Sequence, residues 1–307
     1  MNFKEVELLS SDWEEYELLD SGDRRKLERF GDCVVVRGEP KAWWRPAHPE
    51  LWGRARARYA DCDADGKPQG WSFSGRVEPP VLTCADIRLH TKFMDGSKHL
   101  GVFPEQKPHW EFISQSAKGF SPFSENGANV LRPRMLNLFG YTGAASLFAA
   151  ANGWFVTHVD ASKPSVEWAR RNQKSSKISE NAIRWIVDDA LKYVRRLERR
   201  GERFEAIALD PPAFGRGPKN ELWKLEKMLP ELLSCCARLL SERKIFVLMT
   251  LYSVDASSVM AANVLDQYFN CGNGAKISAG ELVLRPKNGG YPLPLSLWAK
   301  AEFQRKK

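Results

Sequence analysis

Two segments of this chain place carboxylates, glycines or prolines directly after apolar runs. The first, residues 135–143, runs into a turn that contains Gly140 and Gly143. The second, residues 208–214, contains Asp210 followed by two prolines. Between the two segments, Asp160 ends a third apolar run. Because ligands of open α/β sheets bind at the carboxyl ends of the strands, these side chains are expected to share one site.

The spacing of the glycines indicates what kind of ligand the first turn would hold. Gly140 and Gly143 predict a tight strand-to-helix turn whose free N–H groups point at a ligand, with room beside the main chain. A dinucleotide enzyme would prefer Gly-x-Gly-x-x-Gly, so that a pyrophosphate sits on the helix end. Here Tyr141 and Thr142 separate the glycines, and Ser146 stands where the third would be. The turn favours a ligand without phosphates, such as S-adenosylmethionine (AdoMet), or else a turn that needs glycine only for its geometry.

Three further carboxylates are placed to hold a nucleoside. Asp160 has two acceptor oxygens that can take both ribose hydroxyls. The alternative, that it only caps the next helix, is weaker because Ser162, just before Pro164, is a better cap. Asp189 is expected to accept from the adenine amino group, with Asp188 as its competitor. Both could instead be charges in the first turn of a helix.

Asp210 and the residues after it predict a methyl-acceptor site. Pro211 and Pro212 remove two backbone donors and fix φ, so we expect a rigid turn whose acceptors can serve a ligand. An amino group of a planar base can donate to Asp210 and a nearby carbonyl, while Phe214 stacks on the ring. Such a site would work by positioning and by stabilising positive charge on nitrogen. A plain turn with Asp as a helix cap is the alternative.

These residues resemble bacterial class I AdoMet-dependent methyltransferases that modify bases of 23S ribosomal RNA. The resemblance covers residues 85–303 and is carried by residues 95–106, 137–143, 160–162 and 210–215. It implies a cofactor site made of Asn137, Phe139, Gly140, Tyr141, Gly143, Asp160, Ala161, Ser162, Asp188 and Asp189, with Phe103 and Gln106 as weaker candidates. It implies catalytic roles for Asp210, Pro211, Pro212 and Phe214. Glu105 stands where the family usually has Asp, and Pro104 where it prefers another apolar residue.

The cysteines bear on which atom is methylated. Relatives that methylate carbon 5 of cytosine need a cysteine nucleophile after the fifth strand, and residues 246–253 contain no thiol. Cys235 and Cys236 lie in a predicted helix, where a packing role is expected. A base nitrogen is therefore the expected acceptor, with guanine mildly favoured by the resemblance.

The composition of the chain indicates its class of partner, its location and the role of its cysteines. A net charge of +8 and a pI near 9.1 suit a polyanionic partner such as RNA. No apolar run approaches the ~20 residues that span a bilayer, so the chain is expected to be cytoplasmic, with no membrane partner. The six cysteines form no Cys-x-x-Cys pair, so neither a metal site nor a disulfide framework is expected.

The order of elements predicts an α/β fold. After residue 133, strand-like runs alternate with helical patterns, which indicates right-handed crossovers and a mostly parallel sheet. We expect a seven-strand doubly wound, Rossmann-like methyltransferase domain at 134–307, a linker at 119–133 and a smaller β-rich region at 1–118 that could contact RNA. The expected strands are 135–139, 155–160, 183–187, 206–210, 244–250, 281–285 and 296–303. The expected helices are 143–152, 162–175, 190–200, 230–240 and 256–269.

Before residue 119 the expectations are coarser. Short strand-like runs include residues 33–37, 71–74, 87–93 and 99–103, the last two forming a hairpin around Asp95 and Gly96. Cations mixed with tryptophans suit single-stranded RNA, although buried tryptophans fit equally well. These residues are Arg24, Arg25, Lys26, Arg29, Arg54, Arg56, Arg58, Trp43, Trp44 and Trp52. The basic face of the 190–203 helix is expected to be a solvated surface.

The sequence therefore predicts an AdoMet-dependent RNA methyltransferase. A non-catalytic RNA-binding or ribosome-assembly factor with the same fold is the alternative from another class. Methylation of a protein side-chain amide also stays open, since an Asp-Pro-Pro-aromatic loop can hold any planar amide or amino nitrogen. A nicotinamide dehydrogenase is disfavoured by the interrupted glycine pattern.

Overall fold

The structure is a computed structural model that describes residues 6–60, 70–118, 132–252, 254–270 and 274–304. The chain divides into two compact units. The large unit comprises Met1–Leu9, His109–Glu281 and Ser296–Lys307, and the small unit comprises Ser10–Pro108 and Leu282–Leu295. The linker expected at 119–133 falls almost wholly outside the described residues, so the expected domain limits stay a prediction.

The described residues form strands and α-helices with the following bounds. The strands are β1 (Glu7–Leu9), β2 (Tyr16–Gly22), β3 (Arg25–Phe30), β4 (Cys33–Gly38), β5 (Ala57–Tyr59), β6 (Trp71–Phe73), β7 (Val81–Cys84), β8 (Ile87–His90), β9 (Arg134–Leu138), β10 (Phe155–Asp160), β11 (Ile183–Val187), β12 (Ala206–Leu209), β13 (Phe214–Arg216), β14 (Leu222–Lys224), β15 (Phe246–Leu251), β16 (Ala275–Leu284) and β17 (Leu293–Phe303). The α-helices are α1 (Lys107–Ser116), α2 (Ala144–Ala151), α3 (Lys163–Ser175), α4 (Ala190–Arg199), α5 (Leu225–Leu239) and α6 (Ser258–Phe269).

One mixed sheet organises the large unit. Its order among the described residues is β1-β16-β17-β15-β12-β9-β10-β11. Strands β15, β12, β9, β10 and β11 pair in parallel, whereas β17 runs antiparallel to β15. The chain leaves β9 toward one edge and later returns to build outward from its other side with β12. This reversal is the topological switch point, where a doubly wound sheet opens a crevice at its carboxyl ends.

The sheet has eight strands, one more than the seven expected. Each expected strand is found, and the addition is β1, which lies beside β16 at the sheet edge. Gly280 permits this pairing, because a Cβ there would lie 1.8 Å from the Glu7 carbonyl oxygen. A three-residue strand with two exposed side chains carries too little periodicity to be predicted.

Helix α5 begins five residues earlier than the proline pattern predicted. Pro230 favoured a start at that residue, because proline fits the first helical turn. In the structure Pro230 lies inside the helix, and the turn before it contributes the buried Leu225 and Leu229. Burial of these side chains offsets the helical hydrogen bond that proline cannot make.

The small unit contains a five-stranded sheet, β2-β3-β4-β5-β6, and the separate pair β7-β8. The expected hairpin of 87–93 with 99–103 is wrong in its partner, because β8 pairs antiparallel with β7. The two strands turn at Ala85, whose φ of 50° is unusual for a residue with a side chain. The turn that was expected at Asp95 and Gly96 is nevertheless present, since Met94 and Ser97 form an isolated antiparallel bridge and the Lys92 N–H donates to the Leu100 carbonyl at 3.1 Å.

The cations and tryptophans of the small unit differ in burial. Trp52 is buried and donates to Asp20 Oδ2 at 2.8 Å, so it is a core residue. Lys26 is also buried, 3.3 Å from Glu39. Trp43, in contrast, is 80% exposed. The cluster is therefore partly core and partly surface.

Candidate functional site

The first wall of the site is the turn between β9 and α2. Phe139, Tyr141 and Gly143 adopt left-handed conformations, with φ of 58°, 50° and 87°. Gly143 is the N-cap of α2, and its N–H donates to the Gly140 carbonyl at 3.0 Å. Left-handed conformations at residues with a Cβ are costly and cluster at functional sites, so this turn is a candidate for one.

The glycines serve packing, which differs from the expectation that they leave room for a ligand. A Cβ on Gly140 would lie 2.4 Å from Cε1 of His158. A Cβ on Gly143 would lie 2.8 Å from the Cβ of Ala169. Protein atoms therefore fill the space beside both glycines, and the turn is pressed onto β10 and α3.

Asn137 lies beneath this turn in a buried polar chain. Its Nδ2 donates to Ser146 Oγ at 2.8 Å, and Ser146 Oγ lies 3.0 Å from His158 Nδ1. Asn137 is 4% exposed, and Ser146 and His158 are fully buried. The contacts of the Asn137 amide therefore support the turn from below; its expected contact with a cofactor stays a prediction.

Protonation of His158 should couple stability to pH. Burial lowers the pKa of His158 from 6.5 to about 3, so the ring is neutral in the folded protein at pH 7. Between pH 6.5 and about 3, the unfolded chain holds a proton here that the folded chain does not. The free energy of unfolding should therefore fall by up to about 1.4 kcal/mol per pH unit as the pH drops below 6.5. Urea unfolding at pH 7, 6 and 5 measures the slope, which should shrink by about that amount in His158→Gln; equal slopes in both proteins would contradict it.

Asp160 ends β10 and joins two elements of the site. Its Oδ2 accepts from the Tyr141 N–H at 2.8 Å, and its Oδ1 accepts from the Ser162 N–H at 2.8 Å. Burial raises the pKa of the Asp160 carboxyl, and these two hydrogen bonds lower it by less. Ser162 caps α3 by accepting from the Ser165 N–H at 3.3 Å, as the sequence predicted. Each Asp160 oxygen still has a lone pair for a further donor.

Asp188 and Asp189 follow β11 and are both buried. Asp189 is the N-cap of α4 and accepts from the Lys192 N–H at 2.9 Å. Asp188 is paired with Arg196, its Oδ2 lying 2.8 Å from Nη2. The Asp188 N–H also donates to the Asp160 carbonyl at 3.2 Å, which sets the two strand ends side by side. Asp188 forms ion pairs with Lys192 and Arg196. The expected role of Asp189 as the acceptor for adenine stays a prediction.

The loop after β12 is held at three points. The Asp210 N–H donates to the Leu138 carbonyl at 3.3 Å, so the loop starts beside the end of β9. Trp223 Nε1 donates to the Pro212 carbonyl at 2.7 Å, and the Leu225 N–H donates to the Ala213 carbonyl at 3.1 Å. Two prolines and these bonds together fix the backbone of the loop relative to the sheet.

Strands β13 and β14 form a short antiparallel hairpin directly after this loop. The hairpin and the sheet edge enclose a cavity of about 50 Å³, whose lining includes Phe139, Asp160, Ala161, Asp188, Asp189, Pro212, Arg216 and Trp223. All three carboxylates that were predicted to bind the cofactor, Asp160, Asp188 and Asp189, thus line one cavity. Ligand sites usually measure about 300–1,000 Å³, so a nucleoside would require the hairpin to shift outward.

Trp223 is the site residue that sequence reasoning missed. It is 2% exposed, and its ring centroid lies 5.0 Å from that of Phe139. A tryptophan in a polar segment that follows a Gly-Pro-Lys-Asn turn was the available signal, since such a ring seldom belongs to a solvated loop. The turn between β13 and β14 also contacts α4, because Glu221 Oε1 lies 3.4 Å from Lys192 Nζ.

Trp223 lies in the β13–β14 hairpin, which must shift outward for a nucleoside to enter the cavity. Its fluorescence should therefore report ligand binding. Adding S-adenosylhomocysteine is expected to change the intrinsic fluorescence, and Trp223→Phe should remove the larger part of that change. Trp154→Phe is the matched control, because this fully buried ring precedes β10 at the opposite end of the strand from Asp160. Equal amplitudes in the two variants would contradict the role of the hairpin.

Two weaker candidates lie in the small unit. Phe103 has its ring centroid 5.2 Å from that of His99, and Gln106 ends the 3-10 helix Pro104–Gln106. Their contribution to the cofactor site stays a prediction.

The two cysteines of α5 and the basic face of α4 lie outside this site. Cys235 and Cys236 belong to the core of the large unit, as predicted, and burial raises the pKa of the Cys236 thiol. On α4, Arg195 Nε donates to Glu231 Oε1 at 2.8 Å. The described residues contain no cluster of His, Cys, Asp or Glu that could hold a metal ion. Within the same residues, every helix is too short or too polar to cross a bilayer.

Comparison with known proteins identifies similar chains. A family model described as Conserved hypothetical protein 95 matches residues 118–240. A solved SAM-dependent methyltransferase from Agrobacterium tumefaciens is 37% identical, with a TM-score of 0.87, and the alignment covers 96% of this chain and 92% of that chain. SAM and AdoMet denote the same compound. The similarity therefore extends through both units.

Two curated relatives carry more specific names. Ribosomal RNA large subunit methyltransferase I of Pseudoalteromonas translucida (strain TAC 125) is 36% identical over 148 residues, which is 48% of this chain and 34% of that protein. Ribosomal RNA large subunit methyltransferase K of Neisseria meningitidis serogroup B is 29% identical over 228 residues, which is 72% of this chain and 61% of that protein. The chain thus spans between about a third and three fifths of the length of these relatives.

Proposed function

Because this chain belongs to the SAM-dependent methyltransferases, we propose that it transfers the methyl group of AdoMet to a base nitrogen of ribosomal RNA. The observation that carries the proposal is the meeting of Asp160 and the Asp210 loop at the switch point of the sheet. One residue has the chemistry to hold a ribose and the other to hold a base amino group. We also propose that seven of the eight strands form the class I core, with β1 as an addition.

The cofactor side of the proposal rests on the donors and acceptors at the cavity. The Asp160 carboxylate accepts both ribose hydroxyls with the lone pairs that Tyr141 and Ser162 leave unused. Asp189 accepts from the adenine amino group, and Phe139 and Trp223 supply flat apolar walls for the ring. The buried carboxylate and the apolar walls fit an adenosyl group. AdoMet supplies an electrophilic methyl group when it is bound there.

The acceptor side rests on the Asp210 loop. Asp210 accepts a hydrogen bond from the exocyclic amino group of the base, which orients the nitrogen lone pair and stabilises the positive charge that develops on it. Pro211 and Pro212 keep the loop rigid, and Phe214, 57% exposed, stacks on the ring. Catalysis is then a matter of orientation and electrostatics.

Ribosomal RNA is the proposed substrate for two reasons. The curated relatives carry that name, and the chain has a net charge of +8, which suits a polyanion. The proposal of nitrogen over carbon 5 of a pyrimidine rests on the lack of a thiol at residues 246–253 and on the core position of Cys235 and Cys236. A cytoplasmic location accompanies this proposal.

The test compares modified nucleosides of ribosomal RNA from cells with and without the gene, by mass spectrometry. One nitrogen-methylated base should be missing without the gene and should return with the wild-type gene but not with Asp210→Ala. Full rescue by Asp210→Ala would favour the assembly-factor alternative. No difference in nucleosides, together with a missing methyl group on a ribosomal protein amide, would favour the protein-amide alternative.

A further inference from the structure

A second, larger cavity opens on the other side of the Asp210 loop. It has a volume of about 560 Å³ and lies between the hairpin, the start of α5, the end of β15 and α6. We call it the α5–α6 groove. Its lining includes Phe214, Leu225, Pro230, Leu251, Val264 and Tyr268, and most of its exposed surface is apolar.

One short segment separates the groove from the cofactor cavity. Pro212 and Gly215 line the cofactor cavity, whereas Ala213 and Phe214 line the groove. A base held at Asp210 therefore lies within a few residues of the mouth of the groove. Two residues of extended protein chain span about 7 Å, so the two cavities are close together. When one unit of a polymeric substrate lies at Asp210, the next unit can therefore pass Phe214 and enter the groove.

The start of α5, beside the groove, contains a backbone carbonyl without its usual helical donor. Pro230 has no N–H, so the Glu226 carbonyl lacks the donor that a helix would place four residues on. Both residues line the groove. A planar ring with an N–H edge would satisfy this carbonyl while its faces contact apolar side chains.

Cations at the rim match the backbone of a nucleic acid. Lys224 and Lys227 line the groove and are exposed, whereas the walls below them are apolar. The volume exceeds what one ring needs and suits a nucleotide with its sugar. Acidic side chains of Glu226 and Asp255 also reach the groove and can accept from base amino groups.

We propose that the α5–α6 groove binds the unpaired nucleotide next to the target base of the RNA. The inference rests on the proposed function, because that function defines which polymer passes Phe214. The enzyme would then recognise at least two adjacent unpaired bases, one at Asp210 and one in the groove.

The test fills the groove with a side chain. Val264→Trp places a large ring in the groove, and Val259→Trp, on the same helix at a 47% exposed position outside the groove lining, is the matched control. Fluorescence anisotropy with a labelled single-stranded RNA 12-mer should show about tenfold weaker binding for Val264→Trp, the loss of one stacked base. AdoMet affinity, measured by calorimetry, should stay within twofold in both variants.

A second measurement uses the unmodified protein. RNA that contains 4-thiouridine should cross-link on irradiation to peptides from residues 213–230 and 254–268. Equal RNA affinity in the two tryptophan variants, or cross-links that all lie elsewhere, would overturn the groove assignment. Weakened RNA binding by Val264→Trp in a protein that transfers no methyl group would instead leave the groove assignment standing and remove the proposed function.

Discussion

Replacing Asp210 by Ala is expected to cut methyl transfer to RNA by about 10²-fold or more, because the carboxylate acts on charge that develops only at the acceptor nitrogen. AdoMet affinity should stay within about tenfold. The loop itself should survive, since the Trp223–Pro212 hydrogen bond and the Leu225–Ala213 hydrogen bond hold it independently of the Asp210 side chain. Single-turnover assays with labelled AdoMet give the rate, and calorimetry gives the affinity.

The matched control is Asp210→Asn. Its amide oxygen still accepts a hydrogen bond, but it lacks the charge, so the loss of rate should be smaller than for Ala. Rates of Asp210→Ala within about threefold of the wild type would show that this residue only shapes the turn. The same rate loss in Asn and Ala would assign the effect to charge alone.

Replacing Asp160 by Ala is expected to weaken AdoMet binding by about 2–3 kcal/mol, the cost of losing a charged hydrogen-bonding group. That loss is about 30- to 150-fold in the dissociation constant. Part of it comes through the turn, because Asp160 also accepts from the Tyr141 and Ser162 N–H groups. Calorimetry on both proteins measures the change, and circular dichroism checks that the variant is folded.

Protonation of the Asp160 carboxyl tests its role in AdoMet binding without a mutation. Burial raises the pKa of the Asp160 carboxyl above its ordinary value of 3.8. AdoMet affinity should therefore decline as the pH falls toward that raised pKa, since a neutral carboxyl accepts hydrogen bonds from hydroxyls less strongly. The cofactor assignment would be refuted if Asp160→Ala bound AdoMet as tightly as the wild type does. It would also be refuted if the wild-type protein gave the same heat of binding with NADH as with AdoMet.

Much of the large unit could be predicted because its elements are long and periodic. Each expected parallel strand and crossover helix is present, and Ser162 caps α3 as expected. Asp160, Asp188 and Asp189 line one cavity because the carboxyl ends of adjacent parallel strands must meet. Such features follow from local pattern and from the geometry of the sheet.

The parts that could not be predicted depend on tertiary contacts. The hairpin β13–β14 has strands of three residues each, and only its contact with Phe139 explains why Trp223 is buried. The role of Gly140 is decided by the His158 ring, which is distant in sequence. Likewise, the turn at Ala85 carries no glycine or asparagine, so Asp86 was the single local signal for the pairing of β7 with β8.

The hairpin gives the two halves of the proposed site a physical connection. Trp223 lines the cavity beside Asp160 and donates to the Pro212 carbonyl of the loop after β12. A ligand that displaces Trp223 would therefore also move the loop that holds the methyl acceptor. We therefore expect the binding of AdoMet and the binding of the base to be coupled.

The most direct test of the central claim is transfer of a labelled methyl group from AdoMet to ribosomal RNA purified from cells that lack the gene. Naked RNA and ribosomal precursor particles should both be assayed, and the product digested to nucleosides. We expect label on one base nitrogen with the wild-type protein and about 10²-fold less with Asp210→Ala. No label on either substrate from a protein that binds AdoMet, or label on carbon 5 of a pyrimidine, would contradict it.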